Sequence, residues 1–279
     1  MGGAVKIVIK VGTSVVEDAH IGHKFPRAVG ELVHHGHSIV IVHGCRRQRG
    51  MAPVRSIVNG SAVHHLHDNG NAINRNAANL QVADCERLNK SLVSVLGKEA
   101  CASFGIFPSN GRMIRIRRKD PTNGEPAEFE AVAVDPFWLD VISKNGGVPV
   151  IASVVLGYDQ HSHCINADHM AATCAAGWNA DALIFLTRGE GIKTSGGAVL
   201  RWLETQDIHQ LTKSGELTEN MLSKVLACCE ALRHGVRRTR LLPVSQVDDL
   251  SSFYFSKIEG GTEVICTDAD RYSVVKSTS

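Results

Sequence analysis

The residues that could do chemistry stand directly after the apolar runs of the sequence. Four short segments share this position and carry polar or small residues: KVGTS (10–14), HGC (43–45), CINAD (164–168) and TRGEG (187–191). A lysine followed by small residues, whose amides can face an anion, favours anion binding, and so does a helix N-terminus. In open parallel sheets, ligands gather beyond the carboxyl ends of the strands. The four segments therefore predict one site along that rim.

Each of these residues taken alone also has a structural explanation. Lys10 can end a strand, Asp168 can cap the helix that follows it, and Gly12 or Gly44 can turn the chain. The functional interpretation depends on four segments occurring together on one rim.

Lys224 is a further candidate, on a later helical segment. Helical spacing places it beside Met221 and Cys228, at the border of the apolar face. A lysine in this position can also simply extend its amine to solvent.

Six short apolar runs predict the strands that must position these residues. Most runs are continuously apolar, as expected for parallel strands covered on both faces. The runs are 6–11, 38–42, 148–156, 182–186, 239–242 and 262–266.

Helical spacing between the runs predicts two β-α-β units. In the first, over 6–43, Pro26 suits the first turn of the helix and Gly36 suits its exit. The second joins run 148–156 to run 182–186 through a helix over 168–176, which Gly177 can close in a left-handed conformation.

Two other segments predict β-hairpins. Residues 54–63 place strand-forming residues on both sides of Asn59-Gly60, and this hairpin could serve as a lid. Residues 112–119 and 129–134 flank a turn at 121–124. The arginines of this second hairpin lack interleaved aromatic residues, so they do not indicate nucleic-acid binding.

Composition limits the function further. The 279 residues carry a net charge of +2, which is too balanced to indicate nucleic acid or an anionic membrane as the main partner. No apolar run approaches the roughly 20 residues that span a bilayer. The N-terminus enters a strand almost at once without a signal peptide, so we expect a cytoplasmic protein.

Cysteine and histidine usage does not indicate a metal centre. The 8 cysteines are scattered without CxxC spacing, which favours reduced thiols over zinc ligation or a disulfide framework. The histidine clusters at 34–37 and 64–67 lack carboxylate or cysteine partners at zinc-site spacing.

Taken in order along the chain, several motifs resemble those of the amino acid kinase family. The matching stretches are IVIKVGTSVVED, IVIVHG, VNG, LNKSLV, AVDPFWLDVISKNGGVPVIAS, INADHMAATCAAGWNADALIFLT, MLSKVLACCEALRHGV and GGTEV. Together they are specific, although any one would be weak. The resemblance is greatest to members that phosphorylate N-acetyl-L-glutamate.

This resemblance implies both a fold and an activity. The fold would be a single α/β domain over 1–279: a three-layer α-β-α sandwich around a mainly parallel sheet, with a β-hairpin lid. Residues 1–165 would bind the acceptor and 166–279 the nucleotide. The activity would be transfer of the ATP γ-phosphoryl group, with Mg²⁺, onto the side-chain carboxylate of N-acetyl-L-glutamate, in arginine biosynthesis. The partners would be ATP, this N-acylated acidic amino acid and a second copy in a homodimer, without nucleic acid or membrane.

The resemblance also implies roles for particular residues. Lys10 and Lys224 would stabilise charge during transfer, and Asp168 would orient both lysines. The acceptor-binding positions would be Gly44, Cys45 and Asn166, and the nucleotide-binding positions Gly12, Thr13, Thr187 and Gly191. Phosphoryl transfer spreads negative charge over oxygens, so cations and oriented N–H groups suit it.

Several positions depart from the family pattern. The glycine run after His43 is reduced to Gly44, followed by Cys45, Arg46 and Arg47. The other departures are Thr13 for a second glycine, Ala62 for the lid arginine, Cys164 for an asparagine, Arg188 for an aspartate, and Glu219-Asn220 for a glycine pair. Arg46, Arg55 or Arg75 could replace the lid arginine.

These departures leave three alternatives open. The chain could act on another N-blocked acidic amino acid, or it could be a non-catalytic nucleotide-binding or amino-acid-binding regulator. A glutamate kinase is the third alternative and depends on Val11-Gly-Thr-Ser14 alone.

Overall fold

A computed structural model of the protein describes residues 3–13, 21–45, 71–99, 101–110, 113–119, 128–252 and 260–266. The strands are β1 Lys6–Val11, β2 Ser38–His43, β3 Ser103–Ile106, β4 Ile114–Lys119, β5 Glu128–Val134, β6 Val148–Ala152, β7 Val154–Leu156, β8 Ser162–Cys164, β9 Ala182–Thr187, β10 Trp202–Glu204, β11 Arg238–Pro243 and β12 Thr262–Ile265. The α-helices are α1 Ile21–His34, α2 Asn71–Lys98, α3 Phe137–Lys144, α4 Ala167–Gly177, α5 Ile208–Lys213 and α6 Glu219–Arg233.

Eight strands form one central sheet in the order β10-β12-β11-β9-β1-β2-β6-β3. Every neighbouring pair is parallel except β11 with β12, so β10 and β12 run opposite to the other six strands. The sheet is therefore mainly parallel, as predicted.

Helices cover both faces of this sheet. Successive strand residues point to opposite faces, so Val8 joins the core cluster that includes α4 and α6, whereas Ile7 and Ile9 join the cluster under α1 and α2. Because both faces of the strands are buried, the strand sequences are continuously apolar. The predicted three-layer α-β-α sandwich is confirmed.

The apolar run 148–156 is two strands, whereas the sequence predicted one. β6 pairs with β2 and β3 in the central sheet, but β7 leaves that sheet and pairs antiparallel with β8. The chain changes direction at Ser153, whose N–H donates to the carbonyl of His43 while its own carbonyl accepts from Ile165. The β7–β8 hairpin thus returns the chain to the rim of the sheet.

The predicted first β-α-β unit is present, but Pro26 is not in the first turn of its helix. α1 begins at Ile21, so Pro26 lies inside it. The apolar spacing began at Phe25, which is buried in the core, and so it missed the preceding turn. Gly36 leaves the helix with φ of 83°, as predicted.

The end of α4 also differs from the prediction. Gly177 is helical, and the left-handed residue is Asn179, with φ of 52°. Gly177 is instead needed for packing, since a Cβ there would lie 2.5 Å from Cγ1 of Val134. The residue allows α4 to approach β5 closely.

The second predicted hairpin is confirmed, because β4 and β5 pair antiparallel. Its turn at 121–124 and the lid hairpin at 54–63 lie outside the described residues. Among the helices that the structure describes, none has the length and apolar character needed to cross a bilayer.

Candidate active site

Lys10, Asp168 and Lys224 meet at the carboxyl rim of the central sheet. The Nζ atom of Lys10 lies 2.8 Å from Oδ1 of Asp168, and the Nζ atom of Lys224 lies 3.1 Å from Oδ2. Each of the three residues is at most 8% exposed. One carboxylate therefore holds two ammonium groups apart, with one lysine on each oxygen.

Three separate elements deliver these side chains. Lys10 is the penultimate residue of β1, in register with Val42 of β2 and Phe185 of β9 at the centre of the sheet. Asp168 is in the first turn of α4, and Lys224 projects from α6, which packs against α4. The positions are thus set by the sheet register and by helix packing.

Asn166, and not Asp168, caps α4. The Asn166 side-chain oxygen accepts hydrogen bonds from the backbone N–H groups of Asp168 at 2.8 Å and His169 at 3.2 Å. The Asp168 carboxylate is therefore free of capping and can face the lysines. The structural alternative, in which Asp168 caps this helix, is wrong, since the helix already begins at Ala167 and Asn166 accepts from its first free N–H groups.

The two lysines keep Asp168 ionised. Burial alone would raise the pKa of its carboxyl group, but the charges of Lys10 and Lys224 outweigh burial and lower this pKa to about 2. The three groups carry a net charge of one positive unit in a nearly dry environment. A buried excess cation is unfavourable, so the site is suited to an anionic ligand.

Lys224 is held by its own helix as well as by Asp168. Its Nζ atom donates to the side-chain oxygen of Asn220 at 3.0 Å, and the Asn220 carbonyl lies 3.4 Å away. Burial and the like charge of Lys10 lower the pKa of Lys224, whereas Asp168 raises it. The predicted border position is confirmed, since Cys228 of the same helix is fully buried.

Ser223 joins the acceptor-side residue Asn166 to the charged group. Its hydroxyl donates to Oδ2 of Asp168 at 3.1 Å and accepts from the Asn166 amide at 3.2 Å. Sequence reasoning missed Ser223 and Asn220. For Asn220 the available signal was its position four residues before Lys224, because residues i and i+4 are neighbours on a helix, whereas Ser223 had no such signal.

Gly44 lies close to the start of α4. A Cβ at Gly44 would be 3.2 Å from Cβ of Ala167, so this short approach leaves little room for a side chain. The preceding residue, His43, is fully buried, and its Nε2 lies 2.9 Å from the amide of Asn89. That amide also donates to the carbonyl of Val150. The end of β2 is thus fixed beside Asn166.

Cys45 continues from Gly44 into a group of sulfur and hydroxyl atoms. Its Sγ lies 3.8 Å from Oγ of Ser153, and it packs with Cys164 against buried Cys85. The predicted acceptor-side residues Gly44, Cys45 and Asn166 are therefore at the same rim as the charged group.

The predicted nucleotide-side residues follow β1 and β9. Gly12 and Thr13 come directly after β1, and Thr187 is the last residue of β9. The Thr187 hydroxyl donates to the carbonyl of Gly189 at 2.9 Å. Gly191 has φ of 134°, and a Cβ there would lie 2.8 Å from Oγ1 of Thr262. Packing alone thus requires glycine at 191.

Arg46, Arg47, Arg55 and Ala62 lie outside the described residues, as does the side chain of Arg75. Within the described part of the chain, no cluster of three or more histidine, cysteine or carboxylate groups is arranged to hold a metal ion.

Comparison with known proteins places the chain in a family. Residues 5–242 match the amino acid kinase family. The chain is 36% identical to the acetylglutamate kinase of Acidobacterium capsulatum over 94% of this chain and 100% of the relative. It is 32% identical to that of Koribacter versatilis, over 94% of this chain and 99% of the relative.

Solved structures share the fold. An N-acetylglutamate synthase from Neisseria gonorrhoeae superposes with a TM-score of 0.73 at 16% identity. The superposition covers 93% of this chain and 59% of the synthase chain. A carbamate kinase from Giardia lamblia superposes with a TM-score of 0.62 at 14% identity, covering 96% of this chain and 100% of that chain.

Proposed function

The chain belongs to the amino acid kinase family, and we propose from this premise that it is an ATP-dependent phosphotransferase acting on N-acetyl-L-glutamate. The γ-phosphoryl group of ATP moves to the side-chain carboxylate, forming an acyl phosphate for arginine biosynthesis. The acetylglutamate kinases to which it is similar support this acceptor, because the similarity extends over nearly their whole length.

The observation that carries the proposal is the buried group formed by Lys10, Asp168 and Lys224. Negative charge spreads over the oxygens of the moving phosphoryl group, and two ammonium groups fixed before the reaction stabilise it without reorganisation. Asp168 neutralises part of the lysine charge and sets the direction of both amines. A glutamate side chain in water has a pKa of about 4.3, so the acceptor carboxylate is ionised at neutral pH and needs no general base.

The two sides of the rim bind different substrates in this proposal. Residues 1–165 bind the acceptor, through Gly44 and Cys45 together with Asn166, which lies just beyond that boundary. Residues 166–279 bind most of ATP, with Thr187 and Gly191 at its phosphates and Gly12 and Thr13 contributed by the first strand. The single sheet through both halves supports one rigid platform.

Mg²⁺ enters as part of the nucleotide substrate. Asp168 is already paired with both lysines, and the described residues supply no other carboxylate cluster at the site. Mg²⁺ is commonly held by substrate phosphates and water, so the protein need not provide a ligand set. When bound, the ion neutralises phosphate charge.

We also propose that the protein is a cytoplasmic homodimer. β3 is an edge strand of the central sheet, and Phe104 on it is 51% exposed. On nearby α3, Phe137 and Trp138 are 58% and 56% exposed. Exposed apolar side chains of this size favour burial against a second copy. Light scattering during gel filtration tests this, and a monomer mass at micromolar concentration would contradict it.

The kinase proposal is tested by ADP release with N-acetyl-L-glutamate, N-blocked aminoadipate and free glutamate as acceptors. We expect turnover with the first acceptor and little with free glutamate. A regulator is the second candidate, favoured by Cys45 and Cys164 at the acceptor side. ATP binding without turnover on any acceptor would support the regulator and contradict the kinase.

A further inference from the structure

Three cysteines lie together at the proposed acceptor side of the site, and the proposed phosphoryl transfer does not use their thiol groups. Cys45 follows the end of β2, Cys85 is on α2 and Cys164 ends β8. Cys45 and Cys164 pack with Cys85 against Ala152 and Val154, and all three cysteines are free.

The three thiols differ in access to solvent. Cys85 is fully buried, and its Sγ lies 4.0 Å from Nδ1 of His43. Cys45 and Cys164 are only partly buried. A small reagent from solvent can therefore reach Cys45 and Cys164 before it reaches Cys85.

The contacts of Cys45 favour its thiolate form over those of the other two cysteines. Hydrogen bonds from the thiols of Cys164 and Cys85 lower the pKa of Cys45 to about 4, and this effect outweighs burial. The same contacts raise the pKa of Cys164 and Cys85. The neighbouring His43 ring has its pKa lowered by burial, so the hydrogen-bonding thiols stabilise the thiolate more than an imidazolium does. Thiolates are the nucleophilic form of cysteine.

We propose that Cys45 and Cys164 are a redox-active thiol pair, which a hydroperoxide converts into a disulfide across the acceptor side of the site. The Cys45 sulfur attacks one oxygen of hydrogen peroxide, the O–O bond breaks, and one water leaves as the sulfenic acid forms. The Cys164 sulfur then attacks the sulfenic sulfur, and a second water leaves as the S–S bond forms. Two thiols lose two electrons and two protons, and one peroxide becomes two waters.

The disulfide would connect the residue after Gly44 to the residue two positions before Asn166. These flanking residues are the acceptor-binding positions of the proposed function, and this part of the inference rests on that function. Gly44 already approaches Ala167 closely, so the crosslink would remove the freedom of the two segments to separate around an acceptor. The nucleotide side, across the rim, would remain accessible.

The direct test is disulfide mapping of the full-length protein after a short exposure to hydrogen peroxide. Digestion without reductant should give a peptide pair joined through Cys45 and Cys164, which dithiothreitol separates. Cys266 is a matched control because it is also partly buried, and it should stay unmodified over the same time. A Cys45–Cys85 pair, or equal oxidation of Cys45 and Cys266, would overturn the proposal.

A labelling experiment keeps the proposal falsifiable without any variant. The lowered pKa of Cys45 raises its thiolate fraction at pH 5.5, and the lower nucleophilicity of such a thiolate offsets only part of this advantage. Iodoacetamide should therefore label Cys45 faster than Cys266. Equal rates would contradict the thiolate assignment.

Turnover then tests the consequence separately. Peroxide should lower N-acetylglutamate-dependent ADP release at least tenfold, dithiothreitol should restore it, and Cys164→Ser should abolish the restorable loss. A Cys85→Ser variant should still show this peroxide-dependent loss and its restoration by dithiothreitol. If the protein transfers no phosphoryl group at all, mapping still decides the thiol pair, so failure of the two proposals is distinguishable. A mapped disulfide with unchanged turnover would overturn the effect on the acceptor.

Discussion

At the scale of single residues, the site depends on how one carboxylate is shared. Asp168 contacts Lys10 through one oxygen and Lys224 through the other, so removing Asp168 leaves two buried ammonium groups without a counterion, whereas removing either lysine leaves a neutral pair. The three residues could be identified from sequence because Lys10 and Asp168 lie at or after the end of an apolar run, and Lys224 lies at the edge of an apolar helix face. Ser223 could not, since its contacts with Asp168 and Asn166 depend on how α6 packs against α4, and Asn220 was marked only by its i, i+4 spacing from Lys224.

Replacing Lys224 tests its role in transfer. Lys224→Ala should lower kcat about a hundredfold to a thousandfold, since the loss of one preorganised charge costs about 3 to 4 kcal/mol in the transition state. ATP affinity, measured by calorimetry, should change far less. Lys213→Ala is the control, because Lys213 is exposed at the end of α5. Equal losses in kcat and ATP affinity would contradict the assigned role.

The pH dependence of stability tests the ion pairs of Asp168. The folded-state pKa of about 2 lies below the usual value, so Asp168 stabilises the fold above pH 4 and this contribution is lost as pH falls towards 2. The contribution is about 2 kcal/mol. Asp168→Asn should therefore destabilise the protein in urea at pH 7, and less so at pH 3. Asp249→Asn, at an exposed carboxylate, is the control. A loss that is constant with pH would contradict this account.

At the scale of elements, the strands buried on both faces, the two helices between them and the β4–β5 hairpin were predictable, whereas β3 and the division of run 148–156 were not. β3 was missed because its sequence, Ser-Phe-Gly-Ile, is not a continuous apolar run. Such a run is not needed there, since Phe104 and Gly105 are exposed. The run 148–156 was read as one strand because Val154 and Val155 stay buried after the chain leaves the sheet. The change of direction at Ser153 depends on a tertiary hydrogen bond to His43, which residue type does not indicate.

A pair of helical glycines tests the packing of α4. Gly177→Ala should destabilise the protein by about 1 to 3 kcal/mol, because the new methyl overlaps Val134. Gly97→Ala in α2 should be neutral or stabilise by up to about 1 kcal/mol, since no atom lies within 4 Å of its Cβ position. Urea unfolding of both variants and of Gly177→Ala with Val134→Ala measures the difference. No rescue in the double variant would contradict the overlap.

At the scale of the whole molecule, the arrangement follows from one mainly parallel sheet. Its parallel strands end on a common rim, which brings together groups that are up to 214 positions apart in the sequence, from Lys10 to Lys224. The fold and the charged group were predictable from ordered motifs. The thiol group was not, because Cys45, Cys85 and Cys164 have no common spacing and meet only through the β7–β8 hairpin and α2.

The most direct test of the account is trapping of the acyl phosphate product with hydroxylamine. With ATP, Mg²⁺ and N-acetyl-L-glutamate, the reduced protein should form the hydroxamate in step with ADP release. Both Lys10→Ala and Lys224→Ala should lose at least 99% of hydroxamate formation, because losing either charge costs about 3 kcal/mol or more in the transition state. Hydroxamate formation that survives in either variant, or ADP release without hydroxamate, would contradict the claim that these two lysines flank the phosphoryl group as it moves.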